Sequence, residues 1–483
     1  MNQEHIDVLV VGAGISGIGA GYYLKTKCPN KSFKILESRK KLGGTWDLFK
    51  YPGVRSDSDM TTMGFRFKPW TGKKLVADGG AILDYLNDVV DENGFRDKIQ
   101  YNSHVIKASW KSSEFKWHVT YQNKNDGSKT IMTCNFLYFC VGYYDYEKGH
   151  EPEFNGQNEF NGTIIHPQHW PENLDYKDKN VVVIGSGATA VTLIPSMANQ
   201  TRHITMLQRS PTYYMVRPNI DPIGAFFRRF MGKTVSYFVM RWKNIQLQSW
   251  FFKRARKDPK LIKDFLIGVV KEKLNPEHNV DKHFTPSYNP WEQRLCLVPD
   301  GDLFNAINEG KASVVTDQID SFTPDGIKLE SGDELKADII VTATGLKLMV
   351  CSNIEISVDD EIIDISKTMT FKGMMVSDVP NVVWTFGYTN ASWTLRADLT
   401  AEYTCKILNY MDKNGYSIAT PSPSSEVGEE GSWLDFNSGY VTRSTHLFPR
   451  QGNRDPWRNT QNYTKDVVSL RYGKVKDDEL EFS

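Results

Sequence analysis

The amino-acid sequence predicts an α/β protein: two interleaved, doubly wound, three-layer domains with a helical insertion. Three observations predict it. A glycine turn of one spacing occurs twice, each time between an apolar run and a helical stretch of small residues. Further apolar runs end in glycine, as strands returning to a sheet would. A long segment rich in aromatic and basic residues separates the second turn from the later runs. The length of 483 residues allows about three structural units.

The first element is Asp7-Val-Leu-Val-Val11, followed by Gly12-Ala-Gly14-Ile-Ser16-Gly17 and a helix through Gly21 and Leu24. A second apolar run, Phe33–Leu36, ends at Glu37. Gly12 allows the tight turn, Gly14 lets the backbone approach a pyrophosphate, and Gly17 lets helix and strand pack closely. The helix N-terminus, on which Ser16 lies, carries partial positive charge toward the phosphates. Glu37 can accept hydrogen bonds from a ribose diol. Strand, turn, helix and acid together make a Rossmann-like dinucleotide fingerprint.

The pattern recurs at Asn180–Ile184, with Gly185-Ser-Gly187-Ala188-Thr189-Ala190, a helix to about Ala198 and the strand His203–Leu207. This second strand leads into Gln208-Arg209-Ser210, where the first ended in an acid. An arginine there pairs with a 2′-phosphate that a carboxylate would repel. Site one is therefore read as holding FAD and site two NADPH. Phe136–Gly142, Lys336–Gly345 and Pro380–Gly387 read as strands returning to the two sheets. Thr344-Gly345 and Asn390, near the N-cap candidate Ser392, are placed at their cofactor-facing ends. The implied domains are 1–150 (FAD, first part), 151–215 (NADPH, first part), 216–290 (helical insertion), 291–375 (NADPH, second part) and 376–483 (FAD, second part).

Composition narrows the function. Lys+Arg and Asp+Glu both total 58, so no nucleic-acid partner is implied by the charge balance. The average hides one run: Pro222–Lys257 holds nine Lys or Arg and no acid, interleaved with aromatics from Phe226 to Phe252. Such a segment either packs its aromatics within a helical subdomain or substrate pocket, or makes peripheral contact with an anionic membrane. The bases do not fall on one helical face, which favours the first. The acidic start, with Glu4 and Asp7, does not read as a signal peptide. Cys28, Cys134, Cys140, Cys296, Cys351 and Cys405 form no C-x-x-C pair, so a reducing, cytoplasmic setting is expected. The gap between Cys28 and Cys134 removes the disulfide reductases, which carry a redox pair soon after the first fold.

Two nucleotide sites still suit several enzymes. The discriminating segment is Phe160-Asn-Gly162-Thr-Ile-Ile-His166-Pro-Gln-His169-Trp170-Pro171. Read alone it is a linker, and His166 and His169 lack a third ligand for a metal. It resembles, at every specified position, the F-x-G-x-x-x-H-x-x-x-W-P fingerprint of type I Baeyer–Villiger monooxygenases. The resemblance spans nearly the whole chain and is nearest the ethionamide-activating branch, through Ser56–Met60, Gly64–Phe67, Lys372–Met375 and Gly387–Trp393. It implies FAD and NADPH as cofactors and O₂ as the oxygen source. It also implies a small hydrophobic ketone turned into an ester, with thioethers or thioamides also oxygenated at sulfur. Gly44, Thr45 and Trp46 resemble a flavin-contacting turn, and Asp57 lies in the loop beside the flavin ring. Arg294 resembles the catalytic arginine that stabilises developing negative charge, with Asp57 holding its orientation. His166 joins them among the catalytic residues, in a hinge or docking role. Gln293 stands where many members have Lys, which leaves the coenzyme phosphate to Arg209 and Ser210. A flavin monooxygenase restricted to sulfur and nitrogen is the alternative. A non-catalytic flavoprotein would have no use for a second, Arg-bearing nucleotide site.

Overall fold

The first apolar run forms the strand His5–Val11, which pairs in parallel with Phe33–Leu36 on one side and Lys129–Phe139 on the other. In this computed structural model, which describes residues 4–434 and 438–483, these strands lie inside a nine-stranded sheet. Val8 and Val10 face one core with Ile35, Phe136 and Tyr138, while Leu9 and Val11 face another with Leu36, Leu137 and Phe139. The side-chain period of two explains the alternation, and burial on both faces explains why the run is apolar throughout.

Helices Ile15–Lys27, Gly79–Glu92 and Trp393–Asn414 cover the first face. Ser103–Lys111, Lys116–Asn123 and the first half of Lys129–Phe139 form an antiparallel meander whose Trp110 and Trp117, fully buried and edge to face, pack in the second core. The strand Lys129–Phe139 thus serves both parts of the sheet. Val382–Trp384 pairs in parallel with its end, so the C-terminal part of the chain completes the sheet that the N-terminal part begins.

The second sheet is wholly parallel, in the order Ala312–Thr316, His203–Gln208, Asn180–Ile184, Ile339–Thr342, Thr163–Ile165. The helix Ala188–Met197 follows its glycine turn. One boundary differs from the sequence reading. Glu355–Val358 pairs in parallel with Ser103–Lys111, so the chain is back in the first sheet before residue 376. Four strand residues with no glycine turn leave no local mark of the crossing; pairing with a distant strand decides it.

The insertion is built on the helical stretch Pro222–Lys257, broken at Gly232 (φ 72°, ψ 170°), and the helix Pro259–Lys273. Each begins with proline behind a capping aspartate: Asp221 accepts from the backbone of Ile223 and Gly224, and Asp258 from Leu261. Tyr237, Met240, Arg241, Asn244 and Ile245 are buried, but Phe226, Phe230, Phe238, Trp242 and Trp250 are 43–67% exposed. The expectation that the insertion's aromatics pack inside or line a pocket therefore fails for these five. Among the described residues no helix is long and apolar enough to cross a membrane.

Candidate functional site

Both glycine turns open onto one cleft. Gly12 has φ 100°, and a Cβ there would lie 2.6 Å from the carbonyl oxygen of Cys140; one on Gly17 would lie 1.8 Å from that of Gly12. Only glycine fits either place. The cleft is lined by Gly14, Ser16, Thr45 and Trp46 from the first domain and by Ala188 and Thr189 from the second. The loop around Gly53 joins the two: a Cβ on Gly53 would meet Ser196 Oγ at 1.8 Å. Glu37 is buried, and its carboxylate accepts from the backbone N–H of Ala13 (2.7 Å) and Arg39 (2.8 Å). It is thereby aimed at the glycine turn, and burial raises its pKa.

Asp57 and Arg294 meet in this cleft, with Arg294 Nη2 3.1 Å from Asp57 Oδ2. Arg294 is set just before the strand Cys296–Pro299, which pairs with Tyr214–Arg217. Asp57 foremost, with Tyr440 and Tyr143 after it, holds the Arg294 guanidinium charged well above its ordinary range, against the opposing effect of burial. The Tyr440 phenol, pushed up to about 12 by burial, hydrogen-bonds Arg294.

The cap in this acidic run falls to Asp59, not Asp57. Asp59 accepts from Thr62 N–H at 3.1 Å at the start of the turn Met60–Met63. Its buried carboxylate also accepts from Asn244 Nδ2 (3.0 Å) and Gln248 Nε2 (2.8 Å) of the insertion. Arg241 of the same helix donates to the carbonyls of Thr61 and Gly64 and lies 3.5 Å from Asp398. The insertion is thus latched to the loop that carries Asp57.

Other residues named from sequence lie elsewhere. His166 does not line the cleft. Its Nδ1 accepts from the backbone of Gln168 at 3.2 Å, its Nε2 is buried without a partner, and burial lowers its pKa. It sits at the end of Thr163–Ile165, where the first unit hands over to the second. Thr344 Oγ1 donates to the carbonyl of His150 at 2.5 Å, and the Gly345 carbonyl accepts from His150 N–H at 3.0 Å. Both belong to that handover and not to the cleft lining. Asn390 Nδ2 donates to the Gln461 carbonyl at 3.0 Å and lines a neighbouring cavity. Gly44, with φ 54°, and Gly187 each stand directly before a helix.

Arg209 and Ser210 are exposed past the end of His203–Gln208, and the Ser210 carbonyl accepts from Ser186 Oγ at 3.3 Å. Arg443 comes close enough that Arg209, after burial, lowers its pKa. Two neighbouring guanidiniums suit an anion, and no local signal marked Arg443. Ser392 takes the N-cap position of Trp393–Asn414 without a capping bond. Its Oγ and Thr394 Oγ1 are buried without partners and line the cleft. Trp393 Nε1 donates to Ser16 Oγ at 2.8 Å, and its indole stacks on Tyr143. The glycine cradle and the unpartnered hydroxyls fit a dinucleotide with a polar ring.

A family described as flavin-binding monooxygenase-like matches residues 77–377, more than half of the chain. The chain belongs to that family. Residues 10–71 also match an NAD(P)-binding Rossmann-like domain. FAD-containing monooxygenase EthA of Mycobacterium tuberculosis is 50% identical over 482 residues, 99% of this chain and 98% of the relative. A probable FAD-binding monooxygenase AlmA of an Acinetobacter species is 48% identical, over 99% of this chain and 97% of its own. The protein is an FAD-dependent monooxygenase. Among solved structures, steroid monooxygenase bound to NADP superposes with a TM-score of 0.79 at 19% identity, covering 99% of both chains. Cyclohexanone monooxygenase does so at 0.76 and 20%, covering 100% of both. They establish the shared fold.

Proposed function

We propose that the protein is a Baeyer–Villiger monooxygenase. It takes a hydride from NADPH and inserts one atom of O₂ beside the carbonyl of a small hydrophobic ketone, giving an ester; the second oxygen atom leaves as water. The same site oxygenates thioethers or thioamides at sulfur. The observation that carries this reading is the Asp57–Arg294 pair at 3.1 Å in a cleft shared by both glycine turns.

Bound FAD supplies the activation of O₂; the chain supplies position and charge. The first glycine turn and the start of Ile15–Lys27 hold the pyrophosphate, Glu37 the ribose, and Ser392 and Thr394 offer hydroxyls to the ring. Arg209 and Arg443 hold the coenzyme's 2′-phosphate, which selects NADPH over NADH. As oxygen adds to the ketone, negative charge grows on the former carbonyl oxygen. A guanidinium that never loses its proton and offers several directed donors stabilises that charge without reorganising. Asp57 fixes the direction of those donors. His166 would hold the handover between domains, whose relative movement would open and close the cleft around the coenzyme.

The test is NADPH-dependent oxygen uptake with 2-octanone or phenylacetone, followed by gas chromatography. Ester product supports the proposal. Sulfoxide from a thioether with no ester from any ketone would leave a sulfur and nitrogen oxygenase.

A further inference from the structure

We propose that the start of the insertion docks the enzyme on the surface of an anionic lipid bilayer. Ile220, Ile223, Phe226, Phe230 and Met231 are each 48–67% exposed. Phe226 and Phe230 pack together with ring centroids 4.7 Å apart, a preformed apolar wedge with nothing over it. Trp242 and Trp250, beyond the break in the helix at Gly232, are exposed as well.

The charge around the wedge has one sign. Arg229 and Lys233 are exposed on either side of Phe230 and form no ion pair among the described residues. Arg228 donates to the carbonyl of Gly72, and Leu75 N–H bonds the carbonyl of Asn219. These two bonds bring the exposed Lys73 and Lys74 to the same edge. A nearby acid, Asp221, caps the helix and pairs with Lys243 at 2.7 Å. A second copy of this face would meet like charge, which disfavours a symmetric dimer through it. Anionic headgroups complement the bases, and the interfacial acyl region takes the aromatics. No described helix can span a bilayer, so the attachment is to the surface. The docking is independent of the reaction assigned above.

The experiment is flotation of the flavin-loaded enzyme with vesicles of phosphatidylglycerol and phosphatidylcholine, against phosphatidylcholine alone, at low and high salt. Binding is expected on the anionic vesicles at low salt and to fall with salt. Arg229→Glu with Lys233→Glu should weaken it at least about twenty-fivefold, at roughly fivefold for each base lost from the surface. Phe226→Ser with Phe230→Ser should also release the enzyme. Both variants should keep bound flavin and normal turnover of a water-soluble substrate, which separates lost docking from lost fold. Failure of the parent enzyme to float at low salt would overturn the proposal, and so would variants that float equally well. A dimer in sedimentation that these same substitutions dissociate would reassign the face to self-association.

Discussion

Asp57→Asn isolates what the carboxylate contributes through Arg294. The two groups lie 3.1 Å apart, with both side chains 41% exposed. At that distance the Coulomb attraction is about 1 to 3 kcal/mol for effective dielectric constants of ~80 down to ~40. Solvent screening and side-chain freedom leave a net of about 1 kcal/mol, so Asp57→Asn should lower kcat for ester formation roughly fivefold to tenfold. Arg294→Ala removes the charge-stabilising donors themselves and should cost about 10²- to 10³-fold. If Asp57 acts by orienting Arg294, the double variant falls no further than Arg294→Ala alone, a coupling that a double-mutant cycle reads directly. The assay is ester yield per unit time at saturating ketone and NADPH, with flavin content checked by absorbance. Additive losses would refute the orienting role. An Arg294→Ala enzyme that makes ester at the parental rate would refute the mechanism.

Arg209→Ala or Arg443→Ala should raise KM for NADPH about 10- to 100-fold, since a hydrogen bond to a charged group contributes about 1.5–3 kcal/mol, and leave KM for NADH unchanged; steady-state kinetics with both coenzymes checks this. His166→Ala should slow turnover while the flavin-to-protein ratio stays at the parental value; loss of flavin would instead show a folding role. Asn244→Ala removes donors to the buried Asp59 and to Thr61 Oγ1 and should cost about 1–3 kcal/mol, seen as a lower thermal unfolding midpoint. Burial pushes the Asp398 carboxyl up to about 6, above its unfolded value of about 4. The native state therefore holds more protons between these values, and stability should fall as pH rises through that window. Asp398→Asn should flatten that part of the profile in unfolding measurements across pH 4–7.

The parts of the fold that depend on local backbone chemistry could be read directly. Gly12 and Gly17 are there because a Cβ would strike the carbonyls of Cys140 and Gly12, and that constraint is written in the spacing. The acid after one strand and the base after the other were equally plain. The meeting of Asp57, Arg294 and Tyr440 was not, since these residues come from three distant segments and only the family resemblance joined the first two. Arg443 carried no signal at all, because its partner Arg209 is reached only through the tertiary fold. In the insertion, Arg241 and Asn244 look like surface residues yet are buried against residues 59–64, while Phe226 and Trp242 look like core and are exposed. Periodicity shows that a helix has faces. Which face is covered depends on the partner, here the loop that carries Asp57.

The measurement that bears most directly on the proposed reaction is product analysis with a ketone, NADPH and isotopically labelled O₂. The account predicts an ester carrying one labelled oxygen, placed between the former carbonyl carbon and its migrated neighbour, and formed about 10²- to 10³-fold more slowly by Arg294→Ala. NADPH consumed with no labelled ester from any hydrophobic ketone, under conditions where thioethers are oxygenated, would contradict it.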